Sequence, residues 1–284
     1  MKSYSEKLRA FSTAHPCGRV TAAGASFRYV LCGAGERTLV LLNGGMNTQE
    51  MWMDYVDDLA RDSRVLLFDY PRELKTNQAQ AAGMHALFER LGIQKPIFVG
   101  ASDGGMVAQI YVQKYPGETG GLVLISTGGM DERTLRSLKK KYRLAPLMLW
   151  YMKHCNYEKL KPRLIRASLS HLRNESPEEI AYARDMFETI FRDSPQEKDV
   201  HISTLLADLM NQKPVTAADF SALAGKILLI LPDQDFFSGE MQQDLIGLMN
   251  QPKIVCVSGG HLGTVLKAED DLRAIRAFLQ EAEL

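Results

Sequence analysis

The sequence predicts an α/β protein built on a doubly wound, mostly parallel sheet, and three observations carry that prediction. Short, dense apolar runs recur along the chain, each closed by Gly, Asp, Asn or Pro. Amphipathic stretches at helical spacing separate them. One long interval, Thr127 to Lys226, contains helical patterns but no strand-like run. Apolar runs without polar alternation suit strands covered on both faces, and strands alternating with helices suit a parallel sheet.

The elements follow in order. Gly18–Leu31 reads as an antiparallel hairpin with Ala23-Gly24 near its turn. The buried strands are then Thr38–Leu42, Val65–Phe68, Pro96–Val99, Leu122–Ile125, Ile227–Leu231 and Lys253–Val257. Helical patterns occupy Gln49–Arg61, Gln80–Leu91, Gly105–Tyr115 and Glu269–Glu281, the last with an apolar stripe of Leu272, Ile275, Ala277 and Phe278. The strandless interval holds five more: Asp131–Arg143, Pro146–Cys155, Glu158–Leu172, Pro177–Phe191 and Asp199–Met210. Ser176-Pro177-Glu178-Glu179 opens one of them as an N-cap, a proline and two first-turn acids. The expected division is a core of residues 1–127 and 221–284 with a helical lid or cap at 128–220.

Composition narrows the function. The chain has 284 residues, 34 of them Lys or Arg and 34 Asp or Glu, so its formal charge is zero. That balance argues against a nucleic-acid binder working through a general positive field, and it gives no reason to expect a polybasic membrane contact. The run Arg136-Ser137-Leu138-Lys139-Lys140-Lys141-Tyr142-Arg143 reads as the solvated face of a helix. Four cysteines (Cys17, Cys32, Cys155, Cys256) form no C-x-x-C pair and read as reduced, mostly packed thiols. No H-E-x-x-H, H-x-x-x-H or Cys/His cluster is present, so no metal is expected. The first residues lack the apolar run of a signal peptide, and no stretch reaches the roughly 18 apolar residues of a membrane span. The expectation is a soluble, cytoplasmic protein without a membrane partner.

The chemistry concentrates in Pro96–Pro116. A buried strand runs into Gly100-Ala101-Ser102-Asp103-Gly104-Gly105 and then into an amphipathic helix, which is G-x-S-x-G in its required strand–turn–helix setting. So tight a turn leaves no room for side chains at Gly100 and Gly104. It lifts the Ser102 hydroxyl above the carboxyl edge of the sheet, where the helix N-terminus points its N–H groups. The stretch also scans as a phosphate loop, but Met106-Val107 replace the Lys and Ser/Thr that loop needs.

A serine hydroxyl needs a base, and the base an orienting acid. The strand Ile227–Leu231 ends in Pro232-Asp233-Gln234-Asp235, and Lys253–Val257 ends in Ser258-Gly259-Gly260-His261. Ser102, the acid and His261 thus all fall just past the carboxyl ends of parallel strands, where such sheets place their sites. Asp235 is the preferred acid; Asp233, two residues earlier, and Asp131 remain open as alternatives. Asp69 reads as a strand-end turn acid. Leu147–Met152 would line an apolar pocket or pack the lid on the core.

With these residues in place, the chain from about Gly18 onward resembles the α/β-hydrolase superfamily. By that resemblance the fold is an α/β-hydrolase fold with a helical lid inserted after the sixth strand. Ser102 matches the elbow nucleophile, Asp235 the acid after the seventh strand and His261 the base after the eighth. The stretch Asn43-Gly44-Gly45, followed by Trp52, matches the oxyanion loop, which implies an oxyanion hole made by the N–H groups of Gly45 and Asp103. The sequence departs from the family pattern at Asn43, usually His, at Pro232, and after Asp69-Tyr70-Pro71, where a Gly-rich turn is missing. Asp103 sets a carboxyl group beside a hole meant for an anion.

The resemblance implies a serine hydrolase, carboxylesterase-like, that cleaves an ester, thioester or similar activated acyl bond of a small, fairly apolar substrate without a cofactor. Carbon–carbon bond hydrolysis and lactone opening use the same residues. The rival from another class is a non-catalytic or slow-turnover binding protein for small molecules on the same fold. Oligomeric state and exact substrate are not legible.

Overall fold

The computed structural model describes residues 2–170, 172, 175–192, 194–237 and 239–284. Eight strands form one sheet: β1 (Gly18–Ala22), β2 (Ala25–Cys32), β3 (Thr38–Leu42), β4 (Arg64–Phe68), β5 (Ile97–Ala101), β6 (Gly121–Ile125), β7 (Ile227–Gln234) and β8 (Lys253–Gly260). Their spatial order is β1-β2-β4-β3-β5-β6-β7-β8. β1 and β2 form the antiparallel hairpin and β2 runs antiparallel to β4; every pairing from β4 to β8 is parallel.

The helices are α1 (Tyr4–Ala14), α2 (Met53–Leu59), α3 (Asn77–Leu91), α4 (Asp103–Lys114), α5 (Glu132–Lys141), α6 (Ala145–His154), α7 (Tyr157–Leu169), α8 (Pro177–Arg192), α9 (Gln196–Leu209), α10 (Gly239–Leu248), α11 (Gly263–Leu266) and α12 (Ala268–Glu281). Gln49–Trp52 winds as a 3-10 turn ahead of α2, so the stretch expected to be one helix is two unlike pieces.

The absence of polar alternation in the central strands has a direct cause. Val40 and Leu42 of β3 pack with Phe98, Tyr111 and Met84 on one face of the sheet. Leu39 and Leu41 pack with Trp52, Tyr55, Ile275 and Phe278 on the other. Each such side chain removed from water contributes about 1.5–3 kcal/mol. β8 departs from the expectation: it is an edge strand with alternating exposure, and Ile254 and Cys256 face solvent. All four cysteines are free thiols, but Cys17 and Cys256 are exposed, so the thiols are less packed than composition alone suggests.

Helices α5–α9 fill the chain between β6 and β7. Ser176 caps α8 as its sequence predicts, with Glu179 N–H donating to the Ser176 hydroxyl and Ser176 N–H to the Glu179 carboxylate. His171, one of the six histidines, lies outside the described residues. Several contacts tie the segment to the rest, among them Arg133 of α5 to Asp244 of α10 at 3.0 Å and Lys267 to Glu175 at 3.4 Å. Asp208 of α9 accepts from the backbone N–H of Asn77 at 2.7 Å, at the start of α3. On the other side α1 packs on α8: Ser5 N–H donates to Asp185 at 2.8 Å, and Tyr4 meets Tyr182 edge to face. α1 itself went unassigned from sequence, although Ser3 and Glu6 form a reciprocal capping box at its start.

Candidate active site

Ser102 sits in the one-residue turn between β5 and α4 with φ 52° and ψ −119°. A left-handed backbone at a non-glycine residue costs on the order of 1–3 kcal/mol and persists only where its surroundings hold it. Four hydrogen bonds do so: Ser102 N–H to the Ile125 carbonyl at 3.0 Å, and to the Ser102 carbonyl the Gly105 N–H at 3.0 Å, the Met106 N–H at 3.4 Å and the Thr127 hydroxyl at 2.6 Å. The flanking glycines are required by contact. A Cβ on Gly100 would lie 2.6 Å from the Gly104 carbonyl oxygen, and one on Gly104 would lie 2.2 Å from that of Leu42. Helix α4 can therefore start directly against β3 and β5.

His261 follows β8, and its Nε2 lies 2.9 Å from the Ser102 hydroxyl. Its Nδ1 lies 2.6 Å from Oδ1 of Asp235, whose side chain is almost fully buried just past the end of β7. Asp233, the nearer alternative, is exposed and accepts the Gly259 N–H at 2.9 Å; it braces the loop carrying His261. Asp131 caps α5 by accepting from Thr134 N–H at 3.0 Å. Three residues that are distant in sequence thus meet in one hydrogen-bonded relay. The loop after His261 is braced in turn: the Tyr55 hydroxyl lies 2.8 Å from the Thr264 carbonyl and 2.7 Å from Asp271. Burial pushes the Asp271 carboxyl up to about 6, while the Tyr55 hydroxyl pulls the other way.

The Asn43–Thr48 loop borders the relay. Asn43 takes the histidine position of the pattern and donates through Nδ2 to the Phe68 carbonyl at 2.7 Å, tying the loop to the end of β4. Asn47 closes a two-bond exchange with Tyr70, accepting its N–H at 2.8 Å and donating to its carbonyl at 3.2 Å. Neither loop's sequence signals this exchange; in the structure Asn47 turns with a positive φ of 39°, a conformation Asn tolerates better than most residues. Asp69 accepts from Arg28 at 2.8 Å and from Gln49 N–H at 3.0 Å, in keeping with its reading as a turn acid. The N–H groups of Gly45 and Asp103 donate to no acceptor among the described residues.

Asp103 does not point away from this region. A Cβ on Gly45 would lie 2.7 Å from its Oδ2, so the carboxyl group rests against the Gly45 backbone. Burial pushes that carboxyl up to about 6, while the neighbouring His261 pulls the other way.

Above Ser102 and His261 lies a cavity of about 1500 Å³, lined largely by apolar side chains such as Met46, Met106, Leu147, Met148 and Phe237. Leu147–Met152 all border it, and Leu147, Met148 and Trp150 are also largely open to solvent. The segment is therefore cavity wall more than lid–core packing. No described helix is long and apolar enough to cross a membrane.

Residues 39–275 match the model of the alpha/beta hydrolase family. Among curated proteins, the chain is 30% identical over 99 residues to a pimeloyl-[acyl-carrier protein] methyl ester esterase of Edwardsiella ictaluri, covering 34% of this chain and 38% of that protein. It is 33% identical over 115 residues to a 2-hydroxy-6-oxononadienedioate/2-hydroxy-6-oxononatrienedioate hydrolase of Paraburkholderia phymatum, covering 35% and 40%. The aligned stretch spans about two fifths of these relatives' length. Among solved structures, a thermophilic esterase from Thermogutta terrifontis superposes with TM-score 0.71 at 21% identity, covering 94% of this chain and 99% of that one. The enol-lactonase of Burkholderia xenovorans superposes with TM-score 0.71 at 15% identity, covering 93% and 100%.

Proposed function

Because the chain belongs to the alpha/beta hydrolase family, we propose that it hydrolyses an ester, thioester or similar activated acyl bond of a fairly apolar substrate through Ser102, His261 and Asp235. The observation that supports this most directly is the relay of 2.9 Å and 2.6 Å contacts at the floor of an apolar cavity. The names of the matched relatives, an ester esterase and a hydrolase, point the same way.

In this reading Ser102 Oγ attacks the acyl carbon while its proton passes to His261 Nε2. Asp235 accepts a hydrogen bond from Nδ1–H without taking the proton, fixes the tautomer and stabilises the imidazolium. The carbonyl oxygen gains negative charge and is held by the Gly45 and Asp103 N–H groups, each worth about 3 kcal/mol of barrier. Collapse expels the alcohol or thiol, which takes the proton from Nε2 and leaves an acyl-enzyme. Water then gives a proton to Nε2 and attacks the acyl carbon; the acid departs and Ser102 recovers its proton. No cofactor enters any step. Residues 128–220 serve as the lid, and the apolar chain of the substrate lies along α6.

One feature favours slow turnover, and so a sensing or binding role: the carboxyl of Asp103 against Gly45. A fluorophosphonate probe separates the two readings. Stoichiometric labelling that is lost in Ser102→Ala, with turnover of a graded ester series, supports the hydrolase. Folded protein that resists labelling overturns it.

A further inference from the structure

The zero net charge of the chain conceals a local excess. Between residues 136 and 167 there are ten Lys or Arg and a single acid, Glu158. Glu158 is taken up by Lys161 at 2.8 Å. The compensating acids lie elsewhere in the chain. Lys139, Lys140, Arg143 and Lys153 are exposed and form no ion pair among the described residues.

The same tip exposes apolar surface. Leu144, Leu147 and Trp150 are 64%, 62% and 59% accessible, and Met148 and Tyr151 are open beside them. A contiguous exposed patch of large apolar side chains marks an interaction surface rather than ordinary scatter. It is continuous with the catalytic cavity, since Leu144, Leu147, Met148 and Trp150 also line it. A chain of rings leads further inward: Lys141 sits over the Phe236 ring at 3.7 Å, Tyr142 stacks on it, and Phe236 lies 5.9 Å from His261.

We propose that the tip formed by the end of α5 and by α6 docks on an anionic lipid surface, with the cavity mouth turned toward the lipid. The charge and the apolar residues select this occupant together. Short helices with Trp and Leu exposed and Lys or Arg beside them lie in the interfacial layer, and each basic group adds to the attraction of acidic headgroups. Ten residues of α6 are too few to span, so the contact is peripheral. A second copy of the chain fits poorly, because a two-fold contact would set the basic patch against itself. The surface stands independently of the hydrolytic reading.

The test uses Ser102→Ala protein, so that binding is read without turnover. It is floated with vesicles of phosphatidylcholine alone and with about 30% phosphatidylglycerol. Trp fluorescence reports insertion, because Trp52 is fully buried and Trp150 is the exposed indole. The expected result is flotation with the anionic vesicles only and a blue shift that disappears in Trp150→Ser. Lys139→Glu/Lys140→Glu, at positions outside the cavity wall, should weaken partition roughly thirtyfold or more. In the Ser102 background this double change should leave hydrolysis of a water-soluble short ester unchanged. Absence of flotation, equal flotation with neutral vesicles, or micromolar self-association through α6 overturns the proposal. Salt-labile binding without a Trp150 shift also overturns it and assigns the patch to a soluble acidic partner. Absence of ester hydrolysis in the parent protein, with flotation of Ser102→Ala intact, would count against the proposed function alone.

Discussion

If the proposed mechanism holds, replacing Asp103 with Asn should accelerate ester hydrolysis above pH 6 and leave it unchanged below. The carboxyl rests on the Gly45 backbone and its burial pushes it up to about 6, so it is largely ionised at pH 8 and largely neutral at pH 5. A unit negative charge roughly 5 Å from a developing oxyanion costs about 3 kcal/mol at an effective dielectric near 20, and the open cavity mouth reduces this to about 1–2. An ionised Asp103 also attracts the imidazolium of His261, which works in the opposite direction. No hydrogen bond joins Asp103 to His261, whereas its oxygen abuts Gly45, so the repulsion of the oxyanion is the larger effect. The ratio of kcat/KM for Asp103→Asn over the parent, measured with a neutral ester, should climb from near one at pH 5 to about tenfold by pH 8. Stability provides an independent check. A carboxyl whose folded value is raised contributes stability that is fully present below about 3.8 and lost as pH rises through about 6. Asp103→Asn should therefore gain up to about 3 kcal/mol at pH 8 relative to pH 4. A ratio flat across this range, or a slower variant at pH 8, would refute the placement of Asp103 beside the reacting oxygen.

Other outcomes follow from the same geometry. Asp235→Asn should lower kcat about 10⁴-fold, while Asp233→Asn, whose amide oxygen can still accept the Gly259 N–H, should cost less than tenfold in the same assay. Gly104→Ala forces a Cβ to 2.2 Å from the Leu42 carbonyl and should destabilise by at least about 3 kcal/mol in urea titration; wild-type stability would contradict the close approach. His201 is buried, and its burial, with Lys75 and Arg72 nearby, pushes its imidazole down to about 4. Its stabilising effect holds above about 6.5 and is lost as pH falls through about 4, so the parent should lose about 2 kcal/mol relative to His201→Gln between pH 7 and pH 5. Equal urea midpoint shifts in the two proteins would exclude that contribution.

The sheet was legible because its central strands are buried on both faces, which makes their sequences continuous apolar runs. β8 carries the same kind of run, yet its edge position exposes Ile254 and Cys256, and position within a sheet leaves no trace in one strand's composition. Ser102, Asp235 and His261 were legible as strand-end residues because a parallel sheet delivers its carboxyl ends to one rim. Asn47 and Tyr70 were not. Their roles arise from a contact between two loops, and neither loop's own pattern encodes the other. The direction of the Asp103 side chain was equally hidden, since it depends on how closely the Gly45 backbone approaches. The basic character of α5 was visible as a run, but its neighbourhood with α6 became apparent only once the two helices met at one tip.

Helix α1 bridges two partners, and this limits which movements can admit a substrate. Lys7 bonds Asp54 of α2 at 2.7 Å while Ser5 and Tyr4 grip α8, so one short segment straps the sheet layers to the fourth of the five inserted helices. Asp208 gives α9 a comparable tether to α3. Because α6 is held in turn by α9, where Gln196 Nε2 donates to the Met152 carbonyl, these tethers fix the back wall of the cavity as one continuous support. Deleting residues 3–14 would strip that support from the α8 side, since Ser5 and Tyr4 make the contacts with Asp185 and Tyr182.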